Sequence, residues 1–276
     1  MSDDNIEQNP VHYSKKRFIA IGLFVIILLL LIPLPALLLD FLWALNLILV
    51  LLIFPIIVRS KKVNEISLLP KVLLVLTIFS LLIHISFARL ILTKGEAFDG
   101  WIIHTLFSLM MHSGKIQGLL SGLIFFISLA MLTMMVFTKG CTRVSEVAAR
   151  FVLDSCVCKH MAIDVEYESG TITGEEAIAR RNDLQGESDF YGAMDGASKF
   201  ISGYGKASLF LTAVSIIGGI AIGALLNGET IYNAMMICIP LSLCNGFLAL
   251  VICLMESIIA GIVVTRMVSA NETSIS

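Results

Sequence analysis

Between Phe18 and Val58 the chain reads FIAIGLFVIILLLLIPLPALLLDFLWALNLILVLLIFPIIV, 41 residues with one charge, Asp40. A bilayer core about 30 Å thick takes about 20 helical residues. At about 1.5 Å per residue this run would make a helix about 61 Å long, twice what a membrane needs, so it must fold back. The break belongs at Pro33-Leu34-Pro35, because each proline removes an amide donor and clashes with the preceding turn. Span one is placed over 18–33 and span two over 37–58.

The rest of the chain repeats the theme. Of 276 residues, 57 % are hydrophobic and 14 % charged, with a mean hydropathy of +0.92. Soluble domains run roughly 45–50 % apolar and about 25 % charged, so a water-soluble globule is excluded. The formal net charge of -2 carries no basic excess for nucleic acid. Further spans are read over Leu68–Leu92, Gly118–Phe137, Ala207–Leu226 and within Ile231–Val264. The last is either one tilted or kinked helix or a helix plus a re-entrant piece, with Pro240, Asn245 and Gly246 as the irregular points. The expected architecture is all-α, a polytopic helical bundle of about six spans with a helical insertion between spans four and five. By segment it reads as an N-terminal tail 1–17, spans one to four in 18–137, the insertion 138–206, spans five and six in 207–266, and a tail 267–276.

Lys and Arg collect before span one (Lys15, Lys16, Arg17), between spans two and three (Arg59, Lys61, Lys62, Lys71), and in the insertion, which holds eight. The 93–117 loop holds two, Lys94 and Lys115, and the 227–230 turn none. Positive charge marks the cytoplasmic side, which predicts both termini and the insertion in the cytoplasm. The first apolar run is too long for a signal peptide and no small-residue cleavage site follows it. The six cysteines are expected as free thiols.

Within the insertion, Val144, Val147, Ala148, Phe151 and Val152 fall on one helical stripe. Glu146, Arg150 and Asp154 lie opposite at spacing four, which can form a solvated ion-pair ladder worth a few tenths of a kcal/mol per pair. Thr173-Gly-Glu-Glu176 has the form of a capping box, so a second helix should start there and run through Ala177, Ile178, Arg181 and Leu184 toward Phe190.

The stretch from Lys139 to Asp154 with Arg143, Glu146 and Arg150, then Lys159, Met161 to Asp164, Gly170 to Arg181, and Asp189 to Phe200 with Asp195 and Lys199, resembles the signature of the FHIPEP family. The likeness extends to Pro33-Leu-Pro35 with Asp40 and Asn46, and to Ala260–Arg266. Members are inner-membrane export-gate proteins of flagellar and virulence type III secretion. The resemblance implies a homo-oligomeric ring in the lipid bilayer, other export-apparatus membrane proteins as neighbours, secreted protein substrates, and use of proton-motive force through Arg143, Arg150 and Asp154. Family members continue with further spans and a large cytosolic domain. This chain stops at Ser276, so it is expected to be truncated, or complemented by a separate chain.

It also departs from the pattern. Ser202-Gly203-Tyr204 stands where the family has Lys-Gly-Asp, and Cys244-Asn245-Gly246 where it has Gly-Asp-Gly. Both changes remove a carboxylate from places a proton or cation path would use. Glu256, eleven residues after Asn245 and on nearly the same helix face, is the candidate substitute, but about 16 Å away along the axis.

Charges inside spans are costly and default to function. Asp40 and Arg89 sit at similar depth and are expected either to pair across helices or to reach the interface separately. Cys156-x-Cys158-x-His160 has soft-metal ligand types without the usual spacing, and drift is the better account, so no metal or cofactor is expected. His84, His104 and His112 read as packing or interface residues. Gly219-x-x-x-Gly223 lets a helix approach closely, either within the subunit or between subunits. No nucleophile–base pair or phosphate loop is visible, so no enzyme is expected. Besides an export gate, a non-exporting remnant and a small-solute or ion transporter remain readings. The transporter would need an inverted repeat, of which there is no convincing trace.

Overall fold

The computed structural model describes residues 34–60, 66–110, 115–225, 228 and 230–273. Span one, Lys15 to Arg17 and His112 lie outside them. The described residues form helices and connecting turns, with no strand among them. Helix α1, Ala36–Arg59, starts directly after extended Pro35. Helix α2, Leu69–Lys94, carries Pro70 in its first turn, where a missing amide costs nothing, and ends at Gly95 with φ +52°. The connection onward, read from the sequence as a loop, contains a ten-residue helix α3, Trp101–Met110. It is too short to cross a bilayer and carries an exposed Trp101, the residue type that favours the membrane interface.

Helix α4, Lys115–Met131, passes through a π-helical turn at Leu132–Thr138 straight into α5, Lys139–Glu168. A five-residue turn with Gly170 at φ +74° leads into α6, Gly174–Leu225, and α7 runs Ile231–Thr273. The 53 continuous residues Ile116–Glu168 and the 52 of α6 each extend to about 80 Å, so each exceeds the bilayer core by about 50 Å. The boundaries drawn at 137/138 and 206/207 therefore fall inside unbroken helices. The insertion is a helical hairpin that continues two spans. Five helices are long and apolar enough to cross a membrane, and they contain expected spans two to six. Span six is one continuous helix through Pro240.

Helix α7 is the hub, touching α1, α2, α3, α4, α5 and α6. Its tightest neighbour is α6, and small residues make that approach possible. A Cβ at Gly205 would lie 3.1 Å from Cys253 Sγ, one at Gly246 2.9 Å from Thr212 Cγ2, and one at Gly219 2.8 Å from the Cys238 Cβ. On α6 these contacts step by seven residues (205, 212, 219) and on α7 they run the opposite way (253, 246, 238), an antiparallel seam of coiled-coil type. Gly219 of the GxxxG pair thus packs within the subunit, and Gly223 is also buried. The outward faces of α1 and α4, with Leu37, Phe41, Leu52, Ile124 and Phe125 exposed, have the apolar character that lipid requires.

Outside the spans, α5 meets α6 through Cys141, Ser145, Ala148 and Ala149, with the Ser145 and Ser198 hydroxyls 2.7 Å apart. The apolar stripe read from the sequence therefore divides. Ala148 packs inward, whereas Val144, Val147 and Phe151 point outward, because close backbone approach leaves room only for small side chains. The helix start at Thr173 is present, with the Glu176 amide donating to Thr173 Oγ1 at 3.3 Å. The return half of the capping box is not made, since Glu176 accepts from Arg180 instead.

Candidate functional site in the membrane interior

Polar side chains with helical spacing recur inside the spans and face one another. On α2 these are Thr77, Ser80 and His84; on α6 Tyr204, Ser208, Thr212 and Ser215; on α7 Ser242, Asn245, Glu256 and Ser257; all are buried. In an apolar solvent, polar groups gather where they can satisfy one another. At the centre of the cluster Glu256 is fully buried, and its Oε2 lies 2.9 Å from Thr77 Oγ1. Asn46 of α1 donates from Nδ2 to Ser80 Oγ at 2.6 Å. Ser80 and Tyr204 complete the surroundings of Glu256. Glu256 Oε1, Asn46 Oδ1 and Tyr204 Oη have no hydrogen-bond partner among the described residues.

One level along α7, Asn245 donates to the His84 carbonyl at 3.3 Å, and both His84 ring nitrogens are buried without a partner among the described residues. Asn245 and Glu256 thus face the same helix at different depths, as their spacing requires. Glu256 stands beside Tyr204 of α6.

Asp40 and Arg89 do not pair. Asp40 Oδ2 accepts the Trp101 amide at 2.6 Å, capping the start of α3 from another helix, and its other neighbours are Asp99 and His104. A carboxylate is well matched to the positive end of a helix, which is where Asp40 is engaged. Arg89 is half-buried near the end of α2. His104 Nε2 lies 2.7 Å from the Phe98 carbonyl, which fixes α3 further.

Arg143, Glu146, Arg150 and Asp154 are all exposed on α5, and the ion-pair ladder is not formed. Arg143 instead borders an apolar groove of about 650 Å³ lined by Val144, Val147, Phe151 and, from α7, Val264. The remaining insertion residues hold the hairpin together. Lys159 faces Glu187 at 3.6 Å, Arg181 bonds Asp164, Arg180 bridges Glu166 and Glu176, and Asp195 accepts from Lys199 at 2.7 Å. That last hydrogen bond raises the Lys199 pKa. Asp189 accepts from Gln185 at 2.9 Å.

On a continuous helix Cys156 and His160, four apart, share a face, but Cys158 points about 160–200° away from both, so the three do not converge. Among the described residues no three His, Cys, Asp or Glu side chains gather as a metal site would require. None of the six cysteines forms a disulfide.

The FHIPEP family profile matches residues 26–276, which takes in every described helix and the whole polar cluster. The chain belongs to the FHIPEP family. It is 45 % identical over 254 residues to the flagellar biosynthesis protein FlhA of Borreliella burgdorferi and 41 % identical over 254 residues to that of Treponema pallidum. It is 35 % identical over 266 residues to the low calcium response locus protein D of Yersinia pestis. These alignments cover 92 % of the chain for the two FlhA proteins and 96 % for the Yersinia protein, but only 36 % and 37 % of the relatives, so the chain spans about a third of their length. No solved structure matches it. As a FHIPEP protein with five described membrane-crossing helices, it is a polytopic protein of the bacterial inner membrane.

The sequence reading missed Thr77, Ser80 and Tyr204. The usable signal was the helical spacing of polar residues, at 77, 80 and 84 and at 204, 208, 212 and 215, within otherwise apolar or small-residue helices.

Proposed function

We propose that this chain is the membrane part of a type III protein export gate. It assembles as a homo-oligomeric ring beside other export-apparatus membrane proteins, passes secreted protein substrates, and draws on proton-motive force. It performs no covalent catalysis. The observation that carries this reading is the family match over residues 26–276. The continuous helices α4–α5 and α6 add a mechanical reason. A displacement of the hairpin is transmitted directly into the membrane seam, because no flexible joint separates hairpin from span.

With the charge distribution of the loops, the hairpin and both termini face the cytoplasm. Arg143, Arg150 and Asp154, solvated on the outer face of α5, are available to neighbouring subunits or substrates. The test is isolation of the tagged full chain, in mild detergent, from the membranes of a bacterium that builds a type III apparatus. A homo-oligomer carrying export-apparatus membrane proteins is expected. A lone monomer would overturn the proposal.

A further inference from the structure

We propose that Glu256 is a proton-binding carboxyl of the bundle interior, neutral in the packed state and held by groups from four helices. A fully buried carboxyl with no cation beside it among the described residues carries the inference. Thr77 Oγ1 has one hydrogen, and two acceptors compete for it: the Leu73 carbonyl at 2.7 Å and Glu256 Oε2 at 2.9 Å. Ser80 Oγ gives its hydrogen to the Leu76 carbonyl at 2.8 Å and accepts from Asn46. Each hydroxyl has one hydrogen and a carbonyl of its own helix as a second acceptor, so a hydrogen on Glu256 adds a donor that the cluster can use.

Among the described residues the groups facing Glu256 are Thr77 and Ser80 from α2, Tyr204 from α6 and Cys253 from α7, with Asn46 of α1 behind Ser80, none of them cationic. His84 lies seven residues beyond Thr77, about 10 Å along α2. An ionised carboxylate here would stand without a counter-charge in a medium that cannot solvate it. Protonation forms one O–H bond on Glu256, and its reversal releases that proton with the electron pair left on the oxygen. Thr77 and Ser80 are the polar neighbours of an incoming or departing proton, Tyr204 stands beside them, and the buried hydroxyls of Ser208, Thr212 and Ser215 follow along α6.

The proposal concerns the protonation state alone and stands apart from the export reading. Two measurements on the full chain in lipid nanodiscs test it. The infrared difference between the wild type and Glu256→Gln is expected to show a carboxylic-acid C=O band at pH 7. Gln supplies the same hydrogen to Thr77 and should leave the fold intact. A lipid-soluble carbodiimide, which modifies protonated carboxyls, is expected to label Glu256 at pH 7, falling about tenfold for each pH unit above the titration midpoint. A carboxylate band at pH 7, or a missing Glu256 label, overturns the proposal. Protection by sodium ions at fixed pH overturns it as well, because the site would then hold a metal cation.

Discussion

Replacing Gly246 by alanine tests the antiparallel seam directly. The new Cβ would meet Thr212 Oγ1 first and stand 2.9 Å from Thr212 Cγ2 and 3.0 Å from Phe126 Cε2, where ordinary carbon contacts are about 3.5–4.0 Å. Thr212 cannot swing aside cheaply, since it is β-branched and its hydroxyl is bonded to the Ser208 carbonyl at 2.8 Å. Relief therefore requires α6 and α7 to part by about 0.5–1 Å, which forfeits about a quarter to a half of the dispersion energy of each contact along the seam. Overpacking of this kind costs about 1–3 kcal/mol, against about 1 kcal/mol returned by alanine's better helix propensity. A net loss of up to about 2 kcal/mol follows.

Gly203 is the matched control. It is in the middle of α6 with nothing within 4 Å of an added Cβ, so Gly203→Ala should stabilise by about 0.5–1 kcal/mol. The assay is thermal unfolding of the full chain in detergent, read by a thiol-reactive fluorophore that reports exposure of buried Cys244 and Cys253. For a chain near this size each kcal/mol moves the midpoint by about 2–4 °C. Adding Thr212→Ala to Gly246→Ala should recover much of the loss, with a coupling of at least about 0.5 kcal/mol. If Gly246→Ala is as stable as the wild type, or Thr212→Ala gives no relief, the seam is wrongly drawn.

Asp40→Ala removes the cap on α3 and should cost about 1–2 kcal/mol, whereas Asp40→Asn, which keeps an acceptor, should cost less; release of α3 would show as a changed emission of Trp101. Arg181→Ala deletes an exposed ion pair and should change stability by no more than about 1 kcal/mol, measured in the same melts. A maleimide applied to the folded protein should modify exposed Cys158 and, more slowly, Cys156, while the four buried thiols react only on unfolding, as mass spectrometry of peptides would reveal.

The membrane helices were legible because a bilayer imposes a length and a polarity on each span, and Leu69–Lys94 or Ile231–Thr273 shows both within one local window. The Thr173 helix start was legible for a related reason, since a cap is a contact over three residues. Helix α3 escaped because ten residues are shorter than any span-length window. The partner of Asp40 lies 61 residues away, and nothing local distinguishes a cap on a distant helix from an ion pair with Arg89. The outward turn of Val144, Val147 and Phe151 depends on how closely α5 and α6 approach, which small residues on both helices decide together. The Glu256 site needs four helices in register, so its members carry only a weak periodic trace individually.

The central claim, that these helices are the membrane part of an export gate, is tested most directly by secretion. Residues 26–276 would replace the matching segment of a full-length FlhA in a bacterium lacking its own copy, and export of flagellar proteins to the medium would be measured. Export above the level of the deletion strain is expected, as is its loss when Gly246 is replaced by valine. A chimera that inserts and oligomerises yet exports nothing would contradict it.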